Sequence, residues 1–95
     1  MESDSPAPEY FRIAVSDVLD LHSIPAKDVG PVVKEYLFEA RAAGFRALRI
    51  IHGRGIGVQR ERVRAILGQT PGVVAFGDAP AEAGGWGATV VTLGD

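Results

Sequence analysis

The residues best suited to chemistry lie in the segment His52–Gly57, where an imidazole and a guanidinium alternate with three glycines. Glycine at these positions indicates a main chain that adopts positive φ or admits a close neighbour. A helix is predicted directly after this loop, and the unpaired N–H groups of a helix's first turn bind anions. His52 adds a group for proton transfer, and Arg54 adds a planar cation. The segment therefore predicts a phosphate-ester site formed by Gly53, Arg54, Gly55 and Gly57.

A second polar pair, Asp20 and His22, is predicted on the first strand of the domain. Residues two apart on a strand project from the same face, so the carboxylate and the imidazole lie side by side. This is the arrangement that orients a general base, although such pairs also cap turns at strand ends. The prediction gains weight if His52 approaches from a neighbouring strand. Asp20, His22 and His52 are therefore the candidate catalytic residues.

Arginines are concentrated around the glycine loop. Six of the ten basic residues are arginines between positions 46 and 64, and Glu61 is the only acidic residue in that interval. Arginine suits bidentate phosphate contact, so the cluster predicts a local electropositive surface for nucleic acid despite a net charge of −2. Alternatively, these side chains solvate the outer face of a helix. The arginines assigned to nucleic-acid contact are Arg54, Arg60, Arg62 and Arg64.

The only tryptophan, Trp86, lies in a glycine-rich loop, Gly84–Gly87. Two interpretations are equally favoured. The ring stacks on a nucleic-acid base, or it covers the sheet edge as an apolar plug. Trp86 is therefore included among the candidate nucleic-acid-binding residues.

Composition bounds the class of protein. A chain of 95 residues makes one domain, and the lack of cysteine excludes disulfides and thiolate metal sites. No apolar run approaches the roughly 20 residues of a membrane helix, so no membrane partner is expected. Residues 1–9 are polar and contain prolines, which predicts a disordered arm without the apolar core of a secretory signal. A cytoplasmic location is expected.

The hydrophobic pattern predicts the element order βαβαββ. The predicted elements are strands at Val18–Leu21, Leu48–Ile51, Val73–Phe76 and Ala88–Leu93, a first helix running from Asp28 to a stop at Gly44, a second helix over Gln59–Leu67, and an optional extended segment at Phe11–Val15. Strand–helix–strand units need parallel pairing, so we expect an α/β two-layer sandwich with both helices on one face of a mixed four-stranded sheet. The first three strands would run parallel and the last antiparallel. The ends of the first two strands then bring Asp20 and His22 towards His52.

Three motifs resemble the Smr (small MutS-related) domain family, in its stand-alone bacterial type. They are Leu19–His22, Ile50–Gly55 and Gly84–Thr89, and the resemblance covers roughly residues 18–93 of the predicted domain, residues 10–95. The resemblance implies a fold similar to the C-terminal domain of translation initiation factor three. It also implies an endonuclease that nicks or hydrolyses DNA or RNA. The family's DLH signature falls on Asp20 to His22, and its HGxG signature falls on His52 to Gly55. The chain departs from the family at Ser23, where glycine is usual.

A mechanism follows from these residues. Arg54 and the helix N-terminus hold a phosphodiester, and Asp20 fixes the tautomer of His22. His22 takes a proton from water or from a ribose 2′-OH, and His52 protonates the leaving oxygen. This form requires no cofactor. As an alternative, Asp20, His22 and His52 bind a divalent ion, which is less favoured because one carboxylate makes a poor magnesium site.

Two other classes of function compete with this interpretation. A non-catalytic module would bind nucleic acid, a ribosome or a repair protein without cutting nucleic acid. The sequence does not determine the oligomeric state. A nucleotide-cofactor domain is disfavoured, because Val58 stands where the third glycine of that motif belongs and no acid follows about 20 residues later.

Overall fold

The structure is a computed structural model that describes residues 15–55 and 57–94. Its main elements are β1 (Val18–Asp20), α1 (Ala26–Ala42), β2 (Ala47–Ile51), α2 (Val58–Gln69), β3 (Val73–Asp78) and β4 (Ala88–Leu93). Two single-turn 3₁₀ helices, Ala81–Ala83 and Gly85–Gly87, lie in the loop between β3 and β4. The order βαβαββ is as predicted. The arm over residues 1–9 and residues 11–14 of the optional segment lie outside the described residues.

The four strands form one sheet in the order β1-β2-β4-β3. β1 pairs parallel with β2, and β4 pairs antiparallel with both β2 and β3, so the first three strands run in one direction as predicted. The position of β4 between β2 and β3 was not predicted. A helix is about 10 Å wide and strands lie about 4.8 Å apart. A crossover through α2 therefore leaves room for one strand between β2 and β3.

Both helices pack on the same face of the sheet, which confirms the two-layer prediction. The core contains Leu48 and Ile50 from β2, Val91 and Leu93 from β4, six residues of α1 (Val29, Val32, Val33, Tyr36, Leu37 and Ala40), and Val63 and Leu67 from α2. Burying each such large aliphatic side chain contributes about 1.5–3 kcal/mol. No helix within residues 15–55 and 57–94 is long and apolar enough to cross a membrane.

Strand register decides which side chains reach the site. Asp20 pairs with Ile51, so β1 and β2 end together at one edge of the sheet. Leu19 packs against the core while Asp20 is exposed on the opposite, open face. His52 follows Ile50 by two residues and therefore lies on the helix-covered face. The two polar groups thus approach the same edge from opposite faces of the sheet.

Candidate functional site

A cavity of about 400 Å³ opens at the edge where β1 and β2 end. Both histidines, the glycine loop and the first residues of α2 line it: His22, His52, Gly53, Arg54, Gly55, Gly57, Val58, Gln59 and Arg60. The predicted convergence of the first strand's histidine with the glycine loop is therefore present. Asp20 reaches the cavity through its contact with His22.

Asp20 orients His22. One carboxylate oxygen, Oδ1, accepts hydrogen bonds from the His22 backbone N–H at 2.9 Å and from His22 Nδ1 at 2.8 Å. Because a carboxylate only accepts, Nδ1 carries a proton, and in the neutral ring it is Nε2 that has the lone pair. A Cβ built on Gly53 would lie 3.4 Å from His22 Nε2, so that nitrogen faces the loop. The hydrogen bond from the His22 amide holds the pKa of Asp20 below its usual value. The hydrogen bonds that cap the turn after β1 are therefore the same ones that orient His22 for a role as a base.

His52 is buried, and both of its ring nitrogens bond inside the protein. Nδ1 lies 3.0 Å from the Gly53 carbonyl oxygen, and Nε2 lies 2.9 Å from the Thr89 hydroxyl. Burial lowers the pKa of His52, which favours the neutral ring, and the nearby Arg64 acts in the same direction. A carbonyl only accepts, so Nδ1 donates to Gly53 and Nε2 accepts from Thr89. An acid for the leaving oxygen needs a ring proton aimed at substrate, and this geometry does not support that predicted role for His52.

The glycine loop uses the conformations that its sequence predicts. Gly53, Gly55 and Gly57 all have positive φ, and a Cβ on Gly57 would lie 3.1 Å from Trp86. The backbone N–H groups of His52 and Gly53 both donate to the Gly87 carbonyl, at 3.1 and 2.9 Å. Within the described residues, no side chain caps the N-terminus of α2, whose first turn borders the cavity. The two hydrogen bonds to Gly87 tie the glycine loop to the turn that precedes β4.

Arg54 is the exposed cation of the loop. Its side chain lies along the glycine turn that precedes β4, since a Cβ on Gly85 or Gly87 would come within 3.4 and 3.2 Å of it. Among the described residues, no carboxylate lies within ion-pair distance of Arg54. Its guanidinium is therefore available to an anion at the cavity mouth.

The arginines of α2 differ from Arg54, because each bonds within the domain. Arg60 and Arg64 donate to the same oxygen of Asp78, at 2.8 and 2.6 Å. Their side chains are only 16% and 19% exposed. Arg62 donates to the Ala26 carbonyl at 3.0 Å. The predicted phosphate contacts of Arg62 and Arg64 gain no support from this arrangement, whereas Arg60 still borders the cavity.

Trp86 joins the β3–β4 loop to the start of α2. The Arg60 guanidinium lies 4.7 Å from the ring centroid, and the ring edge lies against Gly57. The residue remains 38% exposed. Neither earlier interpretation anticipated this contact, and stacking on a base stays a prediction.

The sequence interpretation missed two residues, Asp78 and Thr89. Asp78 holds the two arginines of α2, and Thr89 binds His52. The alternation of β4 carried a signal, since Thr89, Val91 and Leu93 must share one face. A hydroxyl on the core face of a strand needs a partner, which His52 provides.

The three-ligand metal alternative is not formed in the described part of the chain. There, no group of three His, Cys, Asp or Glu side chains is placed to hold an ion. The ring nitrogens of His52 are already occupied by Gly53 and Thr89.

Comparisons of the sequence and of the structure with known proteins indicate the same family. Residues 19–94 match the family model described as the Smr domain. Endonuclease MutS2 of Thermus thermophilus is 40% identical over 75 residues, which cover 79% of this chain and 10% of that protein. Endonuclease MutS2 of Aquifex aeolicus is 37% identical over 82 residues, which cover 83% of this chain and 11% of that protein. The chain therefore spans about a tenth of the length of these relatives.

Two solved structures share the fold. The crystal structure of the Smr domain of Thermus thermophilus MutS2 has a TM-score of 0.78 at 38% identity, and the match covers 84% of this chain and all of that one. The crystal structure of YdaL, a stand-alone small MutS-related protein from Escherichia coli, has a TM-score of 0.72 at 29% identity, covering 83% of this chain and 65% of that one.

Proposed function

This chain belongs to the Smr domain family, and we propose that it binds nucleic acid and cleaves a phosphodiester bond in the cavity beside the glycine loop. The observation that carries the proposal is the Asp20–His22 pair, in which Nδ1 is held by a carboxylate and Nε2 faces Gly53. The name of the MutS2 relatives, endonuclease, supports the reaction class.

Substrate binding is assigned to Arg54 and to the first turn of α2. A guanidinium pairs with two phosphate oxygens, and helix N-terminal amides add donors that favour an anion. Together they hold the phosphate beside His22 and stabilise the charge that builds on its oxygens in the transition state.

His22 is the proposed general base. Its Nε2 takes a proton from water or from a ribose 2′-OH, and the resulting oxygen attacks phosphorus as the bond to the leaving oxygen breaks. Asp20 keeps the ring in the required tautomer and stabilises the imidazolium. The leaving oxygen takes its proton from solvent, because the side chain of His52 is engaged elsewhere.

The test is incubation of the pure chain with end-labelled single-stranded and duplex DNA and RNA, with EDTA and with Mg²⁺. His22→Ala should abolish cleavage and leave binding within a few-fold, because a catalytic base contributes mainly in the transition state. Asp20→Asn should slow cleavage by loosening the ring. Asp17→Asn, an exposed carboxylate just before β1, is the matched control and should cleave like wild type.

The products identify the nucleophile. If the 2′-OH attacks, one deoxynucleotide at the scissile position blocks the cut and the products carry cyclic phosphates. If water attacks, DNA is cut as well. A wild-type chain that cleaves none of these substrates, with or without metal, contradicts the enzymatic proposal.

A second candidate, a recognition module that does not cut, is favoured by one observation. His52 offers no proton to the cavity, which leaves His22 to act without an acid from the described residues. This candidate predicts nucleic-acid or ribosome binding that survives His22→Ala and is weakened by Arg54→Ala.

A further inference from the structure

A chain of hydrogen bonds connects the end of β3 to the glycine loop. It begins at Asp78, whose Oδ1 accepts from Arg60 at 2.8 Å and from Arg64 at 2.6 Å. Arg64 also donates to the Thr89 hydroxyl at 3.3 Å, and that hydroxyl lies 2.9 Å from His52. These hydrogen bonds thus connect β3 to α2, α2 to β4, and β4 to the residue that follows β2.

Each link of this chain allows one direction. A guanidinium only donates and a carboxylate only accepts, so Arg64 donates hydrogen bonds both to Asp78 and to Thr89. The Thr89 hydroxyl accepts from Arg64 and still has its own hydrogen to donate. The Gly53 carbonyl, 3.0 Å from His52 Nδ1, only accepts, so the neutral ring carries its proton on Nδ1 and its Nε2 accepts from Thr89.

The last link reaches the base. Gly53 is the residue beside His22 Nε2, and its own N–H is fixed to the Gly87 carbonyl at 2.9 Å. With the other tautomer of His52, a lone pair on Nδ1 would face a lone pair on the Gly53 oxygen. That repulsion would push away the peptide that faces the base.

We propose that Thr89 and Asp78 are positioning residues of the site. Thr89 holds His52 in the Nδ1–H tautomer, His52 holds Gly53 beside His22, and Asp78 orients the Arg64 side chain that supports Thr89. The activity arm of this inference rests on the proposed function, whereas its spectroscopic arm does not.

Thr89→Val is the main test, because it replaces a fully buried hydroxyl by a methyl group of similar size. Thr89→Ser restores the hydroxyl, and Thr92→Val is the matched control, an exposed threonine on the same strand. Long-range ¹H–¹⁵N spectra of the full chain should show wild-type His52 protonated at Nδ1 and accepting at Nε2. In Thr89→Val, exchange of the Nδ1 proton with water should accelerate by about tenfold or more, since the ring loses one of its two anchors.

The kinetic readout separates positioning from general stability. In Thr89→Val, kcat should fall roughly ten- to hundred-fold with KM within about threefold, as when a supporting group lets a site shift. Thr89→Ser should recover most of both signals, and Thr92→Val should match wild type in both. Asp78→Asn should change them in the same direction by a smaller factor. It is the variant that decides the matter if Thr89→Val does not fold, because its side chain is half exposed.

Three results would overturn the proposal. The first is a wild-type His52 protonated at Nε2. The second is a folded Thr89→Val with unchanged proton exchange at His52. The third is a loss of kcat that Thr89→Ser does not recover. If wild type cuts nothing, the proposed function fails while the ¹⁵N and exchange measurements still decide the positioning role.

Discussion

His52 is buried next to charged side chains, and its ionisation predicts a dependence of stability on pH. Burial lowers the pKa of His52 most strongly, the hydrogen bond to Gly53 opposes that effect, Arg64 and Arg60 lower the pKa further, and Asp78 raises it. As pH falls, the unfolded chain therefore binds a proton near pH 6.5, before the folded chain does. The free energy of unfolding should fall below that pH by at most about 1.4 kcal/mol per unit, until the folded pKa is passed.

Denaturant unfolding of wild type and His52→Gln at pH 7.5 and pH 5 measures this effect. The stability difference between the two chains should shrink at the lower pH, because wild type loses the advantage of a neutral buried ring. His22→Gln is the matched control, because it makes the same substitution at a histidine that is exposed rather than buried. An equal difference at both pH values would contradict a depressed pKa at His52.

At the scale of single residues, the sequence was a good guide to position and a poorer guide to role. The spacing of Asp20 and His22 predicted their contact, because both the hydrogen bonds and the strand geometry are local. The role of His52 depends on Thr89, which is 37 residues away. That partner is set by the register of β2 on β4, where Ile50 pairs with Thr89. The alternation of a single sequence indicates which residues share a face, but not which of them pair across distant strands.

Helix α2 shows how an element redistributes a cluster that looks continuous in the sequence. At about 100° per residue, positions 60 and 64 share one face while position 62 lies almost opposite. Arg60 and Arg64 accordingly reach Asp78 on β3, and Arg62 reaches the start of α1 at Ala26. The helical period predicts that Arg62 lies on a different face from Arg60 and Arg64. It does not predict that Asp78 is their partner, because that depends on where β3 lies.

The same geometry predicts that Arg64→Ala lowers stability. The substitution removes a mostly buried guanidinium that bonds Asp78 and Thr89 and lies over Phe76, so we expect a loss of about 1–2 kcal/mol in the free energy of unfolding. Chemical denaturation measures it. Arg54→Ala is the matched control, because its exposed side chain should leave stability within about 0.5 kcal/mol. Equal stabilities for the two variants would show that Arg64 is not part of the structural network.

For the whole molecule, the fold was largely predictable and the strand order was not. Periodicity located six elements and the crossover rule placed both helices on one face. The insertion of β4 between β2 and β3 depends on the width of α2 and on pairing along both of its edges. It matters for the site, since β4 carries Thr89 to His52 and the preceding turn carries Gly87 to the loop.

The distribution of charge over the whole domain predicts weakly salt-dependent binding. The net charge is −2, and three of the four arginines assigned to nucleic acid bond within the domain, which leaves Arg54 and the amides of α2 for phosphate. Each neutralised phosphate contributes a slope of about −0.9 to log K against log salt on duplex DNA. We therefore expect a total slope between about −1 and −2, compared with about −5 for a surface that neutralises six phosphates.

Fluorescence anisotropy at several salt concentrations measures this slope. Arg54→Ala should bring it closer to zero by about 1, whereas Lys34→Ala, an exposed lysine on α1 outside the cavity, should leave it unchanged. Arg62→Ala should also leave it unchanged, since that guanidinium is bonded to Ala26. A steep slope that becomes shallower in Arg62→Ala would contradict the assignment of Arg62 to its bond with Ala26. It would mean that the arginines of α2 leave their partners and contact phosphate when nucleic acid binds.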